Sequence, residues 1–254
     1  MLILFTVTTL AAGAPAVDSL LQHLDEQYKQ TTDVRANVTL TQEKPQQGAK
    51  KTDMLYYRRD SDKSFLIVMT GPESEKGNGY LRVGDNFWMY RKNTRTFQHI
   101  NRDESIGGSD AHGDDFEDRQ LSDMYQAVKD SAGNDIITEE MLGKVPVWRF
   151  DVVAKVNDVD YPKKTYWVQV RKDQNSKEET IMLKEASYSK SGTLMQTTYY
   201  LAFTRLLGKI VPVKQLYIDN FEVGNKTIVE ISGISTDKLD DNIFTKAYLE
   251  NLSK

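Results

Sequence analysis

After Thr32 the spacing of apolar residues changes from a helical period to a period of two, and most of the remaining chain keeps it. Val34, Ala36, Val38 and Leu40 alternate with Arg35, Asn37, Thr39 and Thr41, the pattern of a strand with one buried face. Similar runs follow as far as Ile234, about eleven strands in all. Short turns such as Gly84-Asp85-Asn86 and Ser191-Gly192 join them, so neighbouring strands run antiparallel. Only three segments keep helical spacing. They are residues 17–28 (Val17, Leu20, Leu21, Leu24, Tyr28), 121–128 (Leu121, Met124, Tyr125, Val128) and 243–252 (Phe244, Ala247, Tyr248, Leu252). Asp18 is expected to cap the first and Asp241 to sit near the start of the last.

Three helices are too few to cover both faces of a parallel sheet. A long antiparallel sheet must curl, close or have one face covered. The inventory therefore predicts a mainly β (α+β) fold, a strongly curved antiparallel sheet with its concave face plugged by three helices. No linker, repeat or low-complexity tract divides residues 17–254, so one domain is expected there.

Residues 1–16 carry no charge, and the apolar run from Leu2 to Leu10 has the length of a signal-peptide core. Ala12-Gly13-Ala14 and Ala14-Pro15-Ala16 both fit a small-x-small cleavage site. The segment is expected to be a signal peptide, although a positive leading region is missing; a buried first strand is the alternative. Export would make the product periplasmic, and a chain without cysteine cannot carry a cysteine-anchored lipid.

A formal net charge of −4 offers no basic surplus for a phosphate backbone, so no nucleic-acid partner is expected. Without cysteine and with only three histidines, thiolate and histidine-based chemistry has little material. Gly107-Gly108-Ser109-Asp110-Ala111 resembles a nucleophile elbow only loosely and follows no clear strand. Asp110, His112, Asp114, Asp115, Glu117 and Asp118 could offer oxygen ligands, but the calcium-loop spacing is not met. The expectation is a protein that is not an enzyme, with no metal and no cofactor. What stands out is apolar surplus: Phe65 to Met69 is apolar at every position, and Trp88, Trp148 and Trp167 lie on strands. Composition leaves open whether that surplus is ordinary core or the wall of an apolar ligand cavity.

The run Gly79-Tyr80-Leu81-Arg82-Val83-Gly84-Asp85-Asn86-Phe87-Trp88-Met89-Tyr90, with Arg95, Ile100 and then Gly108-Ser109-Asp110, resembles the LolA-like, outer-membrane lipoprotein-sorting family. Tyr166-Trp167-Val168, Ser191-Gly192, Phe244-Thr245 and Tyr248-Leu249 are weaker matches. The chain departs from the family pattern at Arg91-Lys92 and at residues 111–115 before Phe116. The resemblance implies an open, strongly curved antiparallel half-barrel with helices as a lid over a hydrophobic cavity. It also implies a monomeric periplasmic carrier that shields the acyl chains of lipoproteins between an inner-membrane donor complex and an outer-membrane acceptor. Carriage of a free phospholipid or glycolipid, or a lipoprotein-sensing regulatory domain, are the alternatives. Leu20, Leu24, Tyr57, Phe65, Ile67 and Trp88 are the expected cavity lining, with the inward face of each strand unassigned. In the family an arginine after the second strand bonds lid carbonyls; the local pattern puts Arg59 at that position and Arg58 one residue away, with a solvated strand end as the alternative.

Overall fold

A computed structural model describes residues 13–101, 104–111 and 120–253. Most of the expected signal peptide, and all but Asp110 of the acidic run, lie outside the described residues. The first helix, α1, forms over Val17–Tyr28 and buries Val17, Leu20, Leu21 and Leu24. Asp18 does not cap it. The N-cap position is Ala16, and Asp18 lies in the first turn, where the helix dipole favours an acid. The free amide of Val17 is met instead by Asp135 Oδ2 at 2.8 Å, from 118 residues away. Local sequence cannot display such a partner.

Among the described residues fourteen strands follow, against about eleven expected: β1 Val34–Lys44, β2 Gly48–Arg59, β3 Ser64–Gly71, β4 Gly79–Val83, β5 Asn86–Arg91, β6 Thr96–His99, β7 Tyr125–Ala127, β8 Ile137–Leu142, β9 Val145–Ala154, β10 Lys163–Lys172, β11 Glu178–Tyr188, β12 Leu194–Leu206, β13 Lys209–Asp219 and β14 Lys226–Ser235. All join one sheet in the order β6-β5-β4-β3-β2-β1-β14-β13-β12-β11-β10-β9-β7, with β8 also on β9. Two meanders are joined where the first strand meets the last, as in the pairs Val38↔Ile231 and Leu40↔Val229. Every pairing is antiparallel, and β6 and β7 end the sheet without meeting, so the half-barrel is open.

The helix expected over 121–128 is corrected. Only Leu121–Met124 (α2) makes a helical turn. From Tyr125 the chain pairs with β9, Tyr125↔Ala154 to Ala127↔Val152, and so satisfies part of a strand edge that would otherwise be open. The helix expected over 243–252 is interrupted too. A 3-10 turn at Asp241–Phe244 is capped by Asp240, and Thr245 then caps α3, Lys246–Leu252, by accepting from the Tyr248 amide.

Adjacent residues leave the sheet on opposite sides. One face buries Val38, Leu40, Tyr56, Phe65, Ile67, Tyr80 and Phe87 with Ile100, Ile106 and Ala111 from the segment after β6. Further along the same face, Leu20, Leu21 and Leu24 of α1 pack on Tyr125, Phe150, Val152, Tyr166, Val168 and Met182. The opposite face carries Tyr57, Leu66, Val68, Leu81 and Tyr90 under Leu239, Ile243, Phe244 and Leu249. The C-terminal helix therefore does not join α1 and α2 over the concave face, as expected, but packs on the other side. Gly79 permits its close approach: a Cβ there would lie 2.4 Å from Ile67 O and 2.7 Å from Leu249 Cδ1.

Candidate functional site

Between the two clusters on the concave face, the side chains of α1 and the sheet do not meet, and a cavity of ≈ 330 Å³ remains. Its wall runs from β2 to β10, so the sheet curves round it. The inward positions of β1 and β14 supply an aliphatic strip of Val34, Ala36, Val38, Val229, Ile231 and Ile234. Next to it β12 and β13 present Gln196, Thr198, Tyr200, Gln215 and Tyr217. Tyr200 pairs with Gln215 and Thr198 with Tyr217, and the Tyr217 hydroxyl donates to Gln215 Oε1 at 2.6 Å. Tyr28, Leu121, Met124 and Tyr125 form the roof. Asp25 ties that roof together by accepting from the amides of Leu121 and Ser122 at 2.6 and 2.9 Å, the free N–H groups of α2's first turn.

The wall also holds charge. Lys164 Nζ meets Glu185 Oε1 at 2.5 Å, and both side chains are more than four-fifths buried. Ser187 Oγ adds a second bond to the same oxygen at 3.1 Å. Burial of Lys164 acts to lower its pKa, yet the Glu185 carboxylate and the hydroxyls of Tyr166 and Tyr125 outweigh it, so the ammonium titrates well above the usual lysine range. The ammonium lies 5.5 Å and 5.9 Å from the ring centres of Tyr125 and Tyr161. Burial likewise raises the Tyr28 phenol, so the hydroxyl keeps its proton. The Met182 backbone N–H faces the Tyr28 oxygen, but among the described residues the hydroxyl proton has no acceptor.

The structure separates the residues expected to line the cavity. Leu20, Leu24, Phe65 and Ile67 lie on the concave side but are packed into the flanking clusters and do not border the space. Tyr57 and Trp88 are on the opposite face, where Tyr57 meets Tyr248 edge-on and Lys246 Nζ lies 4.3 Å from the Trp88 ring centre. The single-residue alternation of β2 decides this: Tyr56, not Tyr57, faces the cavity.

The two arginines separate by the same rule. Arg59 faces away from the cavity, where it donates to Leu239 O and Asp241 Oδ1, both at 2.7 Å, and to both oxygens of Asp33. It stacks 4.8 Å above Phe244 and so fastens the C-terminal segment rather than α1. Arg58 borders the cavity and is held by Asp60 at 2.5 and 2.9 Å; Asp60 also accepts from the Gln30 amide just after α1. Of the two, Arg58 is the arginine linked to the roof.

The Gly-Ser-Asp segment closes one side. Gly107 and Gly108 take positive φ (64° and 73°), and Gln42 donates to Gly108 O at 2.7 Å. Asp110 accepts from Thr227 at 2.7 Å, while its carbonyl accepts from the cavity residue Gln196 at 3.1 Å. The Ser109 hydroxyl donates to Ile106 O and accepts from the Ala111 amide, so it acts as a turn staple. Among the described residues no group of three or more His, Asp or Glu side chains could hold a metal ion, and no helix is long and apolar enough to cross a membrane.

A family model described only as an uncharacterized protein matches residues 61–251. No curated protein matches the sequence. Solved structures do. A LolA superfamily protein from Nitrosomonas europaea superposes with a TM-score of 0.71 at 20% identity, covering 92% of this chain and 100% of that one. A candidate outer membrane lipoprotein-sorting protein domain from Vibrio parahaemolyticus gives 0.73 at 16% identity over 92% and 97%. A DUF1329 family protein from Desulfovibrio piger gives 0.74 at 17% identity over 91% and 97%. At these identities the likeness establishes the fold, an open antiparallel half-barrel of the LolA kind.

Proposed function

Because the chain belongs to that family of uncharacterized proteins and carries the LolA-superfamily fold, we propose that it is a non-enzymatic periplasmic carrier that holds the apolar part of a lipid in its concave cavity. The observation that carries this reading is the cavity itself, roofed by α1 and α2 and walled by the aliphatic strip of β1 and β14. Burying an acyl chain contributes about 0.8 kcal/mol per CH₂, so a long chain supplies on the order of 10 kcal/mol before ordering costs. That is enough for carriage without a covalent bond. The roof bonds made by Asp25 and by the Arg58–Asp60–Gln30 chain oppose opening, which keeps binding reversible.

By analogy with the sorting domain from Vibrio parahaemolyticus, a first reading of the cargo is a lipoprotein acyl chain, received from an inner-membrane donor and passed to an outer-membrane acceptor. The polar side chains on the cavity wall, the Lys164–Glu185 pair among them, favour a second reading, a free lipid with a polar head. The experiment that tests carriage is uptake of a fluorescent apolar probe by delipidated, folded protein, followed by displacement with acylated peptide or single-chain lipid. A folded sample that takes up no probe sinks the carrier reading. Mass spectrometry of cargo bound to native protein then separates lipoprotein from free lipid.

A further inference from the structure

We propose that the ligand is a single-chain amphiphile with an uncharged, oxygen-bearing head group, and that Tyr28 and Lys164 hydrogen-bond this head inside the cavity. The proposal rests on the carrier reading and specifies its cargo.

An acyl chain alone needs a wall without hydrogen-bonding groups, because a buried polar group with no partner is costly. This wall is of another kind. The Tyr28 hydroxyl is buried, protonated and without an acceptor among the described residues. The Lys164 ammonium has three N–H donors and bonds only one described acceptor, Glu185. Tyr28, Lys164 and Glu185 all border the same cavity, and the last two meet there at 2.5 Å. A carbonyl, ester or hydroxyl oxygen delivered there would satisfy donors that the folded protein leaves open. Glu185 could in turn accept from a hydroxyl of the ligand.

Charge selects among oxygen-bearing heads. The wall contains two cations, Arg58 and Lys164, against three carboxylates, Asp25, Asp160 and Glu185, and both cations are already paired with carboxylates. An anionic head, a fatty carboxylate or a phosphate, would add negative charge where carboxylates already outnumber cations. An uncharged glycerol or sugar head brings acceptors without that penalty.

The test is competition against a bound naphthylamine-type probe on delipidated full chain at neutral pH, using monopalmitoylglycerol, palmitate and a diacylated lipopeptide. Monopalmitoylglycerol is expected to displace the probe at roughly a tenth of the palmitate concentration or less, the factor of one lost or strained charged contact. Tyr28→Phe, with each displacement referred to the variant's own affinity for the probe, should weaken monopalmitoylglycerol roughly fivefold, the loss of one neutral hydrogen bond, and leave palmitate within about twofold. The variant Lys164→Met/Glu185→Leu, which removes the pair together, should bind monopalmitoylglycerol and palmitate alike while still binding probe. Equal or better displacement by palmitate or by the lipopeptide overturns the proposal and leaves the carrier reading standing. So does a Tyr28→Phe protein that binds monopalmitoylglycerol as the parent does. A folded parent that binds neither probe nor any amphiphile overturns both.

Discussion

Strands β3 and β13 show two ways of meeting the concave face. In β3, Ser64 to Met69 are all buried, because the segment after β6 covers one side and the C-terminal segment the other. In β13, by contrast, Gln215 and Tyr217 face the cavity and most positions are only partly buried. The continuous apolar run therefore marks a place where packing is complete on both sides, and the interrupted one marks the place where it is not. A ligand site in this fold lies where polar side chains are tolerated on the inner face, not where apolar residues are densest.

The sharpest way to break the contrast is to damage each region and read stability against binding. Phe65 is 1% exposed, and its ring sits 5.4 Å from that of Phe87. Phe65→Ala should cost about 3–5 kcal/mol in urea unfolding, the usual result of opening a cavity in a close-packed core. Probe affinity of the fraction still folded should be unchanged. A loss of binding with stability intact would place Phe65 in the site after all.

Lys164→Met comes next. It leaves Glu185 buried without its cation and should destabilise by about 3 kcal/mol, while adding Glu185→Leu should restore most of that. If the single substitution proves harmless, the pair is hydrated and the charged end of the cavity is open to water. Thermal melts of the parent, single and double variants decide between these.

The smaller contrast is between the adjacent arginines. Arg59→Leu removes charged bonds to Asp33, Asp241 and Leu239 O and should cost about 1.5–3 kcal/mol, with faster proteolysis of the C-terminal segment and no change in ligand affinity. Asp60→Ala, which unties Arg58 from the Gln30 amide, should instead speed ligand entry and exit in stopped-flow measurements. Opposite results for the two variants would return the lid role to Arg59.

Much of this is legible in the amino-acid sequence itself. The change from a period of 3.6 to a period of two marks α1 at its observed bounds, and the turn at Gly84 falls where the chain needs positive φ. The features without a local signal are set by distant partners. Strand β8 reads Ile-Thr-Glu-Glu-Met-Leu without alternation and exists because β9 offers it an edge. Register decided the site: Tyr56 and Tyr57 are alike in sequence, and only the pairing Tyr56↔Ile67 shows which one turns inward. Lys164 and Glu185 come from neighbouring strands 21 residues apart, and neither has a local signal of burial. In β12 two irregularities in the pairing near Ala202 scramble the alternation, so Tyr200 cannot be assigned to a face from spacing alone.

The mildest expected effect concerns the start of α1, the roof of the cavity. Asp135 accepts from the Val17 amide at 2.8 Å and from Lys129 Nζ at 2.6 Å. Lys129 first, and then the amide, hold its carboxyl below the ordinary aspartate range. A carboxyl with a lowered folded-state pKa contributes stability that is complete above its unfolded value, about 3.9, and is lost as pH falls through the folded value. Asp135→Ala should therefore cost about 1 kcal/mol at neutral pH, the usual worth of a helix cap. The difference from the parent should shrink as pH drops below about 4. Asp135→Asn keeps a carbonyl for the amide but not the charge, so it should fall between the two at neutral pH and show no titration in that acid window. Because Asp135 holds the roof from its far end and borders no part of the cavity, ligand affinity should change less than in Tyr28→Phe. Urea titrations of the three proteins across the acid range, paired with probe binding at neutral pH, separate a fastening of the roof from a contact with the ligand. A pH-independent gap between Asp135→Ala and the parent would mean that packing around Val17, and not the carboxylate, anchors α1.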